Sequence, residues 1–545
     1  MKRSIDWISL AMLAVVGAMV VLVCCTSLAA QTLTRPEVVL GQGALRGQLE
    51  DGIEVYRGIP YAAAPVEKLR WRPPAPPPQW EGVREAADFG PACIQPRLPE
   101  TSFYYVAPGE TSEDCLSLNV WTPSRAGSKP VIVWIHGGSL RIGGSAEPLY
   151  DGATFSRENV VFVSINYRLG VLGWLAHPAL SRENRDGISG NYGLLDQIAA
   201  LEWVRANIAS FGGDPDNVTI MGESAGALSA SYLLASPLAR GLFAKAIVES
   251  PNSRTFPALD RRAYGLPAAQ GIGMLVFQRL EIKSLKDARR IDAQALVDAA
   301  TKGGFPAQGV IDGTVLPDQL IDIFDAGEQA PVPILVGYNS GEVKGQRAFV
   351  PPTPESAAAY EAAIRRGYGA LADEYLRLYP SNDMAKSMVR VLTDAIYGWA
   401  AERMARKQEA IGQDAYFYLF DYCYPAAEAR DLCAFHAGEL PFVFGHWDDD
   451  RLPANWPAAP DSAAALSRQM IAFWTSFART GRPQAPDGTQ WPQYGDVGNT
   501  MVFAQTGQAV IQPRPGMFEL HEAFVAERRD EGEAWGLVSG VAAGE

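Results

Sequence analysis

Five stretches of the chain are apolar at consecutive rather than alternating positions: PVIVWI (130–135), VVFVSI (160–165), the run closing in NVTIMG (217–222), AKAIV (244–248) and PVPILV (331–336). A strand with one solvated face alternates apolar and polar side chains, so an unbroken apolar run marks a strand covered on both faces. Helical stretches separate these runs, the clearest being NYGLLDQIAALEWVRANI at 191–208. Doubly buried strands alternating with helices predict an α/β fold, a large and mostly parallel central sheet with helices on both faces.

The flanks read differently. Residues 38–95 are short β-type runs broken by glycine and proline, which predicts an antiparallel meander ending in an irregular loop. Residues of about 353–413 are alanine-rich and helical in pattern, and are expected to form a helical insertion rather than a second domain. AYFYLF (415–420), a helix around 463–480, the strand TMVFA (500–504) and a C-terminal helix complete the expected fold. His521, in the charged stretch FELHEAF, is expected on the solvated face of that helix, and the Gly- and Glu-rich tail after Arg529 is expected to fray. Residues 31–545 are accordingly read as one domain.

The first 30 residues stand apart. Lys2 and Arg3 precede an apolar stretch from Ile8 to Cys25, and small residues follow at Ser27, Ala29 and Ala30. That is the layout of a secretory signal cleaved near Ala29 or Ala30, which places the mature protein outside the cell or in the periplasm. The stretch is long enough to serve as a membrane anchor if it is not cleaved. Removal leaves Cys93, Cys115, Cys423 and Cys433, an even set in an exported chain, which predicts two disulfides. Of three connectivities, Cys93–Cys115 with Cys423–Cys433 is the simplest. A formal net charge of −14 without a basic cluster argues against nucleic acid as a partner.

GESAG (222–226) lies between an apolar run and a helical one, the strand–turn–helix context of a nucleophile elbow, with Ser224 as its hydroxyl. A serine hydroxyl needs a base, and the chain has five histidines: His136, His177, His436, His446 and His521. In elbow-type folds the acid and then the histidine follow the serine in the chain, which sets aside His136 and His177 and leaves His436, His446 and His521. Of these His436, in the glycine-containing loop CAFHAGELPFVFG, is favoured over His446 in GHWDDD and over His521, which is expected to be solvated. The orienting carboxylate should stand at the end of a core strand, and Glu342 follows PVPILVGYN in a glycine-containing loop. The glycine-rich stretch HGGSLRIGGS (136–145) lacks the Lys-Ser/Thr ending of a phosphate loop.

Together these motifs resemble the type-B carboxylesterase and cholinesterase family of α/β-hydrolases over nearly the whole mature chain. FGGDPDNVTIMGESAG resembles its serine-site signature, SEDCLSLNVWTP its upstream cysteine signature and HAGELPFVFG its histidine block. The resemblance implies Ser224, Glu342 and His436 as a triad, Gly137, Gly138 and Ala225 as backbone oxyanion donors, and a Cys93–Cys115 disulfide. Cys423–Cys433 is no general family feature, and would brace the loop carrying His436. Where the family usually has a third glycine and an aromatic residue, this chain has Ser139 and Leu140; donor geometry is expected to survive only if Ser139 takes a negative φ.

The activity implied is two-step hydrolysis of a small-molecule carboxylic ester through an acyl-enzyme, with no metal or cofactor. Retention of the serine, glutamate and histidine argues against a non-catalytic binding module. Ser139, Leu140 and Arg141 in the glycine loop, with Lys344 and Arg347 beyond Glu342, are expected near the pocket mouth. Cations there would suit anionic polycarboxylate esters of the fumonisin type.

Overall fold

The computed structural model describes residues 35–447, 450–536 and 539–544. Its centre is an eleven-stranded sheet. In chain order the strands are β1 (Gln48–Glu50), β2 (Ile53–Pro60), β3 (Ser117–Thr122), β4 (Lys129–Ile135), β5 (Val161–Ile165), β6 (Gly213–Glu223), β7 (Lys245–Glu249), β8 (Ile334–Asn339), β9 (Ala415–Phe420), β10 (Asn499–Phe503) and β11 (Gly507–Ile511). Their spatial order is β11-β10-β9-β8-β7-β6-β4-β5-β3-β2-β1. From β5 to β10 neighbouring strands run parallel, and antiparallel pairing is confined to the two edges.

The unbroken apolar runs are explained by burial on both faces. Along β4, Val131, Val133 and Ile135 join one core, while Ile132 and Trp134 join the other. The first core is closed by the helices Tyr192–Asn207 and Ala225–Ala235, and the second by the helix Ala464–Thr480. A buried ion pair, Arg168 to Asp196 at 2.7 Å, ties the loop after β5 to the first of these helices.

Chain order and spatial order part at β4, which has β5 on one side and β6 on the other. Such a switch point opens a crevice beyond the carboxyl ends of the strands. Ile135 and Gly222 are paired in register, so β4 and β6 end level with each other.

Residues 357–410 are mainly helical, and Tyr360, Tyr368, Tyr375 and Tyr379 pack together beside Phe524. Two expectations for the C-terminal part are corrected. His521 is not solvated: it is 2 % exposed and hydrogen-bonded to Tyr379 Oη at 3.0 Å, because its side of the helix Met517–Asp530 packs on this tyrosine cluster. The described tail does not hang free either, since Trp535 is buried against Tyr264 and Gly540 N–H donates to Tyr368 Oη. Strand β11 escaped the sequence reading because it is a five-residue edge strand that buries only Gly507 and leaves Ile511 exposed.

The signal-sequence reading concerns residues outside those described. Among the described residues, no helix is long and apolar enough to cross a membrane.

Candidate active site

Ser224 sits between β6 and the helix Ala225–Ala235 with φ 57° and ψ −115°, a conformation that side chains other than glycine rarely adopt. Close packing holds it there. A Cβ on Gly226 would stand 2.0 Å from the Ile135 carbonyl oxygen, and one on Gly222 would stand 2.5 Å from the Gly226 backbone. Both glycines of GESAG are thus required by backbone approach, and the Ser224 N–H is tied to Glu249 O at 3.0 Å.

His436 arrives from the loop after β9, and Glu342 from the turn after β8. His436 Nε2 is 2.8 Å from Ser224 Oγ, and Nδ1 is 2.5 Å from Glu342 Oε2. Glu342 is fully buried, and its Oε1 accepts the Asn339 N–H at 2.8 Å. The two loops are stitched together: Gly341 N–H donates to Ala434 O, His436 N–H to Glu342 O, and Asn339 Nδ2 to Phe435 O. A Cβ on Gly341 would lie 2.2 Å from Cys433 O, so only glycine permits this approach.

Three more carboxyls surround the pair. Glu223 is 4 % exposed at its side chain, with Oε1 3.2 Å from His436 Nε2. Burial, then the charges of Glu342 and Glu147, hold its carboxyl well above the usual range. Burial likewise raises Glu249, which accepts Trp474 Nε1–H, and Glu439, which accepts from Asn339 Nδ2. Like charges this close cannot all ionise, so the neutral form is favoured at these three positions.

The glycine loop after β4 is braced from beneath. His136 is buried, stacks on Tyr167 at 4.5 Å between ring centroids, and is brought down to about 4 by burial, so it is neutral near pH 7. Gln95 makes two bonds to the loop, accepting Gly143 N–H and donating to Gly143 O, each at 2.9 Å. The negative φ required of Ser139 is not observed: Ser139 and Leu140 stand at φ 57° and 58°. The donors are not consumed by this, because the turn is closed by Arg141 and Ile142 N–H groups on Gly138 O. Among the described residues, the N–H groups of Gly137, Gly138 and Ala225 have no protein acceptor.

A cavity of about 560 Å³ opens above Ser224, lined by Gly137, Gly138, Ser139, Glu223 and His436 among others. Tyr104, Tyr105, Leu149 and Trp456 supply apolar wall. Leu140, Arg141, Lys344 and Arg347 are not among the lining residues. Leu140 points into the core at 1 % exposure, Arg141 faces solvent, and Lys344 and Arg347 both pair with Asp431. Among the described residues, the arginine and glutamate side chains of the wall are Arg97, Glu100, Glu147 and Glu223, with no lysine or aspartate beside them. Arg97, Gln95 and Gln346 escaped the sequence reading because only the fold brings their segments to the site; Glu223 was in plain view within GESAG.

Cys93 pairs with Cys115 and Cys423 with Cys433, the local connectivity. The first bridge is two residues from Gln95, and the second closes three residues before His436.

A mostly parallel sheet with a strand–serine–helix elbow at its carboxyl edge is the architecture of the α/β-hydrolases. The sequence profile of the carboxylesterase family matches residues 34–515, and the chain belongs to that family. It is 38% identical to a fumonisin B1 esterase of Sphingopyxis macrogoltabida over 483 residues, 85% of each chain. It is 37% identical to a para-nitrobenzyl esterase of Bacillus subtilis, covering 85% of this chain and 93% of that one. A solved carboxylesterase of Geobacillus stearothermophilus superposes with a TM-score of 0.77 at 35% identity, over 90% of this chain and all of the other. The protein is a carboxylic ester hydrolase.

Proposed function

We propose that this chain is an exported serine carboxylesterase whose residues 31–545 act as one domain, the helices of 353–413 being an insertion. Ser224 is the nucleophile, His436 the general base, and Glu342 the carboxylate that orients the imidazole. The observation that carries this reading is His436 bridging Ser224 Oγ and Glu342 Oε2 at 2.8 and 2.5 Å on the floor of the cavity.

Ser224 Oγ attacks the ester carbonyl while His436 Nε2 takes its proton. The C–O bond to the alcohol then breaks as the same proton passes to the leaving oxygen. Water repeats the sequence on the acyl-enzyme, releasing the acid and restoring Ser224. Gly137, Gly138 and Ala225 donate to the oxyanion in both halves, each worth about 3 kcal/mol in the transition state. Two disulfides support an oxidising destination for the chain.

Purified protein is expected to hydrolyse a short-chain p-nitrophenyl ester and to be labelled at Ser224 by an organophosphate. Ser224→Ala should lower the rate on the order of a millionfold. Turnover retained in that variant would remove Ser224 from the mechanism.

A second reading, an esterase for anionic polycarboxylate esters, is favoured by the similarity to a fumonisin B1 esterase. The cavity wall offers it Arg97 as a cation, set against Glu100 on the same segment. An Arg97→Ala variant assayed on a neutral ester and on one bearing free carboxylates separates the two readings. Equal rates lost on both would leave the neutral-ester reading alone.

A further inference from the structure

The helix that runs from Met384 to Ala410 is α-helical at both ends but widens into a π turn at Asp394–Gly398. A π turn inserts an extra residue into a helix, weakens its hydrogen bonding, and occurs often at functional sites. This one is anchored at both ends, at Asp394 and at Gly398. Asp394 is buried, accepts Tyr379 Oη–H at 2.9 Å, and has Arg514 at 3.6 Å and Arg390 at 3.9 Å. Gly398 packs on Tyr338 of β8, where a Cβ would be 3.0 Å from the ring.

Between those anchors the turn delivers Tyr397 to the imidazole of His436. The ring centroids are 5.0 Å apart at 40°, closer than the 6.2 Å contact of Tyr104 on the same histidine. Tyr397 Oη donates to Gln346 Oε1 at 3.0 Å, so the far end of the ring is also held. Tyr397 is 5 % exposed and does not line the cavity, whereas Gln346 does. Glu342, Glu223 and Arg254 stand near it, and burial, then the charge of Glu342, keeps its hydroxyl protonated.

We propose that Tyr397, presented by the π turn Asp394–Gly398, is a positioning residue for His436: its ring confines the imidazole to the orientation that meets Ser224 Oγ and Glu342 together. An imidazole with Ser224 on one nitrogen and Glu342 on the other keeps only the freedom to tilt about the axis through them. The Tyr397 face closes that freedom from the side away from substrate. The inference rests on His436 being the base.

The test compares Tyr397→Phe with Tyr397→Met on the full chain with a neutral p-nitrophenyl ester. Phe keeps the ring, so kcat should stay within about twofold. Met fills similar volume without a ring, so kcat should fall about ten- to a hundredfold with KM within about threefold, the penalty of a misplaced catalytic group. Asp394→Asn, which loosens the anchor of the turn from outside the cavity, should lower kcat in the same direction and serves if the Met variant does not fold. Unchanged kcat in folded Met or Asn protein, or equal losses in Phe and Met, overturns the proposal. His436→Ala is measured alongside. If that variant keeps its activity, the base reading and this inference fall together; if it is inactive while Tyr397→Met is unaffected, only the inference falls.

Discussion

Gly226 and Ile135 are in backbone contact: a Cβ on the glycine would stand 2.0 Å from the Ile135 carbonyl oxygen. Ile135 is the last residue of β4, so the turn carrying Ser224 is seated directly on the strand that leads into Gly137 and Gly138. Gly226→Ala must push the elbow and the glycine loop apart. Overpacking of this kind costs about 1–3 kcal/mol, and a shift near 1 Å at the site costs about a hundredfold in rate. Melting and kcat/KM measured together are expected to show both, and an alanine variant with normal rates would mean that the contact is relieved elsewhere.

Lys344 and Arg347 illustrate a different outcome. Both face Asp431, which lies in the loop closed by Cys423 and Cys433, and neither lines the cavity. These pairs are half-exposed, where an ion pair is worth roughly 0–1 kcal/mol. Asp431→Asn should therefore lower stability slightly, with a smaller effect at high salt, and should change KM for anionic and neutral esters equally. A selective change for the anionic ester would restore these cations to substrate recognition.

The Cys423–Cys433 bridge closes a loop of sequence separation 10 that ends beside the Gly341–Phe435 contact. Loop-closure entropy assigns such a crosslink about 3 kcal/mol. The double variant Cys423→Ser with Cys433→Ser should melt lower and lose kcat more than affinity, since it frees the segment just before His436. Loss of stability with kcat intact would show that the Asn339, Gly341 and His436 hydrogen bonds suffice to hold the histidine.

Buried His521 makes stability depend on pH. Burial brings it from 6.5 down to about 4 in the folded protein. Because the unfolded chain takes up this proton first, the contribution is fully present above pH 6.5, declines as pH falls, and is gone below about 4. The change for one such group is about 3 kcal/mol. Replacement by phenylalanine sacrifices the Tyr379 bond and should lower stability at pH 7, yet flatten its decline between pH 6.5 and 4. A parallel decline in denaturation midpoints of the two proteins would assign the acid sensitivity to other groups, His136 first.

Much of the site was legible because its signals are local. An elbow needs small residues on both sides of its serine, and a doubly buried strand needs unbroken apolar sequence; GESAG after NVTIM meets both demands within ten residues. The same holds for Glu342, placed by the strand before it. Misreadings cluster where the partner is distant in sequence. Lys344 and Arg347 looked like pocket cations until Asp431, some 84 residues on from Arg347, took them. Charged neighbours made His521 look solvated, yet Tyr379, 142 residues earlier, covers it.

The sequence by itself determined the sheet's apolar strands, the strand–turn–helix at GESAG and the order in which Ser224, Glu342 and His436 follow one another, since each depends on position along the backbone. Tertiary structure alone decided which side chains face the cavity, that Ser139 and Leu140 take left-handed φ, and that Tyr397 reaches His436. Those outcomes depend on which segments the sheet order brings together, and no local periodicity encodes a contact between loops that follow different strands.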